Sequence, residues 1–346
     1  MKTLQIEDWI KSENPQLGQS KPLMIIASDQ NRYFLKQQHI RDNGNWIEED
    51  AVFFQEYLVS AIANFLGILT PETAIIEVDK QTLKQIPELQ FTCQLSEGYY
   101  FATKMISNSD ENLTRYARIL LSQVKAELPY AAKSWNQLMS KIVNKEDIPK
   151  IIGLDFFALN TDRFKNPGNL LIRNDPSGRY LIAIDFGHCF GGPFWGGPSR
   201  NVDYSPKLNT LHCNDINFGS ENAINLLAHQ LVIAYNVCQD NRRVKLGFVF
   251  DSLISQLDFR TANPFSAVVD VLESMTEHQI LTFLKSIPNF WVVTAGIQQR
   301  EYKDFLLRQR FIIRPIIDVL ADSSLFPNVN GKEELRWSKE YHTNIQ

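Results

Sequence analysis

The chain has 346 residues, with 44% hydrophobic and 21% charged residues and a net charge of −4 from 35 Lys+Arg against 39 Asp+Glu. At roughly 100–200 residues per domain this length predicts two domains or one large fold in two parts, and excludes a minimal binding module. The composition excludes disordered, collagen-like and coiled-coil classes, and the balance of charge lacks the bulk positive field that draws proteins to nucleic acid, so no direct nucleic-acid binding is expected.

The N-terminus, MKTLQIEDWIKSENP, is acidic by residue 7 and has no apolar stretch, so no signal peptide is expected there. Residues 22–27 (PLMIIA) and 32–36 (RYFLK) are short apolar runs joined by SDQN, which predicts two antiparallel strands. Residues 49–66 predict a helix with an acidic start that stops at Gly67. Thr73 to Val78 and Gly98 to Met105 are two further strand candidates, giving the order β, β, α, β, β.

From residue 108 the pattern turns helical, with apolar residues at three- and four-residue spacings over 111–127, 133–144, 147–160, 221–238, 262–274, 277–285 and 298–321. One interruption lies between Asp162 and Gly197. There Leu170 to Arg173 and Tyr180 to Ile184 predict a hairpin around the turn NDPSG, and the Gly- and Pro-rich run GGPFWGGP follows at 191–198. The boundary is placed near residue 107, so residues 1–107 form a small β-rich part and residues 108–346 a large, mostly helical one. An α+β chain of this order is expected to carry its ligand in the cleft between the parts. The four cysteines, Cys93, Cys189, Cys213 and Cys238, are far apart, with no CxxC pair, and read as free thiols of a cytoplasmic protein. The longest uncharged stretch, Asn222 to Gln239, contains three Asn, two Gln and a His, so a core-facing helix is expected there and no membrane span.

The second hairpin is flanked by polar residues its strands do not need: Asn160-Thr161-Asp162-Arg163-Phe164-Lys165-Asn166-Pro167-Gly168-Asn169 before it and Asp185-Phe186-Gly187-His188 after it. Two carboxylates and carboxamides bracketing one tight hairpin converge within a few ångströms, and such hard oxygen ligands suit Mg²⁺, which takes one or two carboxylates plus substrate phosphates. Asp162 alone would read as a turn residue, Asp185 as a strand end and Lys36 as a solvated lysine. Their joint order and spacing carry the functional reading. HExxH, GxSxG and GxxxxGK[ST] patterns are absent.

NTDRFKNPGNLLI followed by YLIAIDFGHCF resembles the catalytic and metal-binding loops of the protein-kinase-like superfamily, and of the HipA-like kinase family in particular. GQSKPLMIIASDQNRYFLK is similar to the opening hairpin of that family, and FQEYLVSAIANFLGILTPETAII to its following helix and strand, so the resemblance covers roughly residues 18–190. It implies a bilobal protein-kinase-like fold and an ATP- and Mg²⁺-dependent phosphotransferase acting on a Ser or Thr hydroxyl of a protein. By the same resemblance Asp162 would accept the proton of the acceptor hydroxyl, Asn169 and Asp185 would bind metal, Lys36 would contact the α- and β-phosphates, and Glu56 would orient Lys36.

The residues give Glu56 separate support. With 100° steps, Phe54, Tyr57, Leu58, Ala61, Ile62 and Phe65 make one apolar face and Val52, Val59, Ala63 and Leu66 a second, beside which Glu56 falls. A carboxylate there needs a partner, and a lysine on the neighbouring strand supplies one. Glu48, Glu49 and Asp50 are read as helix-start residues. Arg163 is expected to steady the loop by pairing with a carboxylate or a carbonyl.

Three positions depart from the family pattern. Asn stands at Asp+4 and Asp+7, where the relatives more often use Asp+5, so Asn166, Asn169 or both are expected to ligate the metal. No Gly-rich loop precedes Lys36, so phosphate contacts are expected from backbone amides and the Ser20 hydroxyl within Gly18-Gln19-Ser20-Lys21. Phe186 follows the metal-binding Asp, with His188 two residues on. The alternatives are a phosphoinositide or other small-molecule kinase, transfer of the nucleotide in place of the terminal phosphate, and a pseudokinase acting as a nucleotide-binding interaction module.

Overall fold

The computed structural model describes residues 1–11, 22–42, 44–109, 128, 130, 133, 137, 139–196, 206–212, 215, 220–238 and 243–339. The expected helix over 111–127 therefore lies outside the described residues, as does most of 133–144.

The N-terminal part is built on a closed five-stranded barrel, in which β1 (Thr3–Ile10), β2 (Leu23–Ala27), β3 (Arg32–Leu35), β7 (Gly98–Lys104) and β6 (Thr73–Val78) are neighbours in that order. The pairing of β2 with β3 is the expected antiparallel hairpin, with Leu23 opposite Leu35. Residues 3–10, to which the sequence reading assigns no strand, close the barrel: β1 runs antiparallel to β2 and parallel to β6, with Leu4 opposite Ile76. Period-2 alternation sends Leu4, Ile6, Ile25, Ala27, Tyr33 and Leu35 into the barrel interior. On β6 the consecutive residues Ala74, Ile75 and Ile76 are all buried. Ala74 and Ile76 face the interior, whereas Ile75 joins the large core cluster that also contains helix α1 (Val52–Phe65). A strand covered on both faces reads as a continuous apolar run.

Two further features of this part escape the sequence reading. A separate hairpin of β4 (His39–Asp42) and β5 (Asn45–Glu48) stands between β3 and α1, and the short helices α2 (Lys80–Gln85) and α3 (Pro87–Phe91) stand between β6 and β7. Helix α1 accordingly starts at Val52, later than expected. Its first turn contains no acidic residue and its N-cap, Ala51, makes no side-chain cap.

The C-terminal part is helical: α4 (Asp147–Phe157), α5 (Pro206–Leu211), α6 (Glu221–Tyr235), α7 (Phe248–Ile254), α8 (Ser266–Glu273), α9 (Glu277–Lys285), α10 (Ile297–Gln309) and α11 (Ile313–Asp322). The hairpin β8 (Leu170–Asp175) and β9 (Gly178–Ala183) interrupts it where expected, paired Leu170 to Ala183. The predicted single helix 298–321 is two helices. Pro315 is the third residue of α11; within a continuous helix its ring would clash with the carbonyl of residue 311 and its missing N–H would break the ladder. Helix α6 packs on α11, and α4 contacts both α8 and α11.

Outside the barrel interior, one core cluster spans both parts. Trp291 packs against Phe53 and Tyr57 of α1 and Phe101 of β7, and its Nε1 donates to the Tyr99 carbonyl at 2.9 Å. No helix among the described residues is long and apolar enough to cross a membrane, and Cys93, Cys189 and Cys238 are free.

Candidate active site

Strand β3 ends at Leu35, and the next residue, Lys36, is turned into the protein, 8% exposed. Its Nζ lies 2.8 Å from Glu56 Oε1 on α1 and 2.8 Å from Asp185 Oδ1, just after β9. Three elements distant in sequence thus meet at one ammonium. Burial alone would lower the Lys36 pKa, but the Asp185 and Glu56 carboxylates outweigh it and hold the lysine charged. Burial pushes the Glu56 carboxyl up against the pull of Lys36. Asp185 moves the other way, to about 2, because Lys36 outweighs the effect of burial on its carboxylate. Asp185 also has φ +63°, in the left-handed region that aspartate enters more readily than most residues.

Asp162 stands in the loop before β8. Its Oδ2 accepts from Asn169 Nδ2 at 2.9 Å and from Asn166 Nδ2 at 3.1 Å, while among the described residues no hydrogen bond reaches its Oδ1. The two amides differ at their other ends. Asn166 Oδ1 accepts from the Gly168 N–H at 3.0 Å, capping the short turn Pro167–Asn169. No bond among the described residues reaches Asn169 Oδ1.

The loop is held by a buried ion pair. Arg163, wholly buried, donates from Nε to Asp155 of α4 at 3.0 and 2.9 Å. Its NH1 donates to the Ile184 carbonyl at 2.8 Å and to the Asn169 carbonyl, and its guanidinium lies over the Phe186 ring at 5.0 Å. Arg163 therefore ties the residue before Asp185 to Asn169, meeting both expected partner types. Burial pushes the Asp155 carboxyl up to about 6 against the pull of Arg163. Asn160 Nδ2 donates to the Asp155 carboxylate as well, at 2.9 Å, and the Tyr235 hydroxyl donates to the Asp155 backbone carbonyl at 2.7 Å. From the other side, the Val249 and Phe250 N–H groups at the start of α7 donate to the Phe164 carbonyl. Gly247 makes that approach possible: it has φ +134°, and a Cβ there would lie 2.3 Å from the Phe164 oxygen.

The segment after Asp185 is fastened by residues that the sequence reading takes as helix-start acids. Asp50 accepts from the Trp195 and Gly196 N–H groups at 2.6 and 2.9 Å, and Glu49, 1% exposed, lies 3.3 Å from His188 Nε2. Burial alone would lower the His188 pKa, and the Glu49 and Asp185 carboxylates together outweigh it. Lys207 of α5, also buried, donates to the Phe190 carbonyl at 2.9 Å and to that of Gly192. Burial brings its pKa down to about 7.

A family model described as HipA-like kinase matches residues 10–195, more than half of the chain. The chain belongs to the HipA-like kinase family. No curated protein matches the sequence. Among solved structures it is similar to the Helicobacter pylori proinflammatory kinase CtkA, at 13% identity over 89% of this chain and 97% of that one, with a TM-score of 0.37, too loose a likeness to bear on the fold.

In this HipA-like kinase, Lys36, Glu56 and Asp185 make one cluster, and Asp162, Asn166 and Asn169 a second. Arg163 joins the backbone of the two. Ser20 and the rest of Gly18–Lys21 lie outside the described residues. Asp155, Glu49, Asp50 and Lys207 are the participants that sequence reasoning missed. The expected pairing of Arg163 with a carboxylate or a carbonyl was the signal that pointed toward Asp155, and the other three had none, since their partners are backbone or loop groups elsewhere in the chain.

Proposed function

We propose that the chain is an ATP- and Mg²⁺-dependent kinase that phosphorylates a Ser or Thr hydroxyl of a protein, with residues 1–107 and 108–346 as the two lobes of a protein-kinase-like fold. The observation that carries this reading is the single ammonium of Lys36 held 2.8 Å from both Glu56 and Asp185. Two carboxylates fix a buried cation there, positioned to meet the α- and β-phosphates of ATP, and phosphoryl transfer needs such positioning and charge neutralisation more than covalent help.

The residues fit a magnesium ion. Asp185 Oδ2 and Asn169 Oδ1 are hard oxygen donors that carry no hydrogen bond among the described residues, and Asp185 keeps 36% of its side chain exposed. Asn169 is preferred over Asn166, whose carbonyl oxygen is already used by Gly168. When bound, the ion would neutralise charge on the phosphates. Asp162 is the base. Its Oδ2 is fixed by two amide donors, which leaves Oδ1 to take the hydroxyl proton as the acceptor oxygen bonds to the γ-phosphorus and the bond to the β-phosphate oxygen breaks. Glu56 holds Lys36, and Arg163 holds the loop.

The test separates two roles. Asp162→Ala is expected to abolish transfer while nucleotide affinity stays at the wild-type level. Asp185→Ala is expected to abolish transfer and also the gain in nucleotide affinity that Mg²⁺ brings, both read by phosphotransfer assay and calorimetry. Equal loss of nucleotide affinity in the two variants would contradict the assignment.

A further inference from the structure

Gln55 precedes Glu56 on α1 and is completely buried. A buried carboxamide is costly unless its donors and acceptor are met. Here they are met across three elements: Nε2 donates to the carbonyls of Gly187 and of Gly192, the latter at 3.1 Å, and Oε1 accepts from the Tyr302 hydroxyl of α10 at 2.7 Å. The orientation of the amide is forced, because the two carbonyls can only accept. Tyr302 is itself wholly buried, its ring packed against Phe54, Phe190 and Trp195, and burial holds its phenol protonated as a donor.

We propose that Gln55 and Tyr302 are positioning residues for phosphoryl transfer, a buried polar relay that locks the turn after Asp185 to helix α1 and both of them to α10. The proposal rests on the reading of Asp185 as a metal ligand. Consecutive residues of one helix turn divide the work: Glu56 reaches Lys36, while Gln55 reaches the carbonyl two residues beyond Asp185. A shift of α1 therefore disturbs Glu56 and Asp185 together. The turn needs such ties. Asp185, Phe190, Gly191 and Gly192 all have positive φ, a path that persists only where its surroundings over-determine it. Gln55 supplies this tie without adding charge beside Lys36, Glu56 and Asp185. Tyr302 lies well beyond residue 195, where the family match ends, so the relay makes the C-terminal helices part of the catalytic apparatus.

The test uses the full chain. Tyr302→Phe keeps the ring contacts and removes only the hydroxyl, Gln55→Leu removes the whole tie, and Gln55→Glu can still accept from Tyr302 but cannot donate to Gly187 or Gly192. Calorimetric titration with a non-hydrolysable ATP analogue, with and without Mg²⁺, is compared with kcat and with near-ultraviolet circular dichroism. The expected result is a native spectrum with metal-free nucleotide affinity retained. The Mg²⁺-dependent gain in affinity and kcat should each fall about 10–100-fold, the range for loss of hydrogen bonds that orient a metal ligand. Gln55→Glu should resemble Gln55→Leu. A merely structural tie would lower the melting temperature and leave the Mg²⁺ dependence and kcat of the folded protein unchanged, which would overturn the proposal. Should Gln55→Leu fail to fold, Tyr302→Phe decides by the same readouts. Wild-type protein that binds no nucleotide overturns the reading of the site and this inference with it. Wild-type protein that binds while folded variants match it overturns this inference alone.

Discussion

Gly187 is, with Gly247, one of the two tightest points of the site. A Cβ on it would lie 2.3 Å from Val52 Cγ2 and 3.2 Å from Glu56 Oε1. Val52 is 2% exposed and β-branched, so it has little freedom to turn away. The glycine after Asp185-Phe186 is thus required by the close approach of α1. Gly187→Ala is expected to destabilise the protein by about 1–3 kcal/mol through overpacking and to lower kcat by pushing Glu56 off Lys36. Urea denaturation and a phosphotransfer assay check the two effects, and wild-type kcat in a folded variant would refute the second. At this scale the sequence was partly legible. Glu56 could be found because a carboxylate among Val52, Val59, Ala63 and Leu66 demands a partner. Glu49 and Asp50 could not, because acids before a helix read equally well as caps, and their actual partners, His188, Trp195 and Gly196, sit on a distant loop. Gln55 gave no signal, since an amide on a helix wheel is neutral evidence.

Helix α5 reaches the segment after Asp185 through Lys207. Lys207 binds the Phe190 and Gly192 carbonyls, and burial lowers its pKa from 10.5 to about 7. With the folded value below the unfolded one, the unfolded chain binds more protons between about pH 7 and 10.5, so stability contributed at this group rises with pH across that window. Lys207→Met is expected to remove that rise, giving a flatter profile of unfolding free energy between those limits. A profile parallel to wild type would show that the lysine titrates normally. Element recognition followed locality. The strand 73–78 and the helix 277–285 carry their whole period within themselves and emerged with the expected bounds. Strand β1 did not, because it is held as a strand by pairing with both β2 and β6, and β6 is far along the chain. The break between α10 and α11 was hidden because the apolar spacing continues across the turn, although Pro315 was present to mark it.

At the scale of the molecule, a barrel carrying Lys36 and a helical part carrying Asp162, Asn169 and Asp185 are joined through α1, which contributes Glu56 to one and Gln55 to the other. Trp291, packed on Phe53, Tyr57 and Phe101, completes the cover of α1 from beyond residue 195. The order of a β-rich part and then a helical part was legible in the change of hydrophobic period along the chain. The contacts across it were not, since side-chain convergence between distant segments leaves no local pattern. The proposed reaction transfers the terminal phosphate of ATP to a protein hydroxyl. It is tested most directly by incubating the full chain with Mg²⁺, a protein acceptor and ATP labelled separately at the α- and γ-phosphates, then locating the label by mass spectrometry. The expected result is γ-label on a Ser or Thr side chain, lost in Asp162→Ala; α-label on protein, or no turnover of ATP at all, would overturn the proposed function.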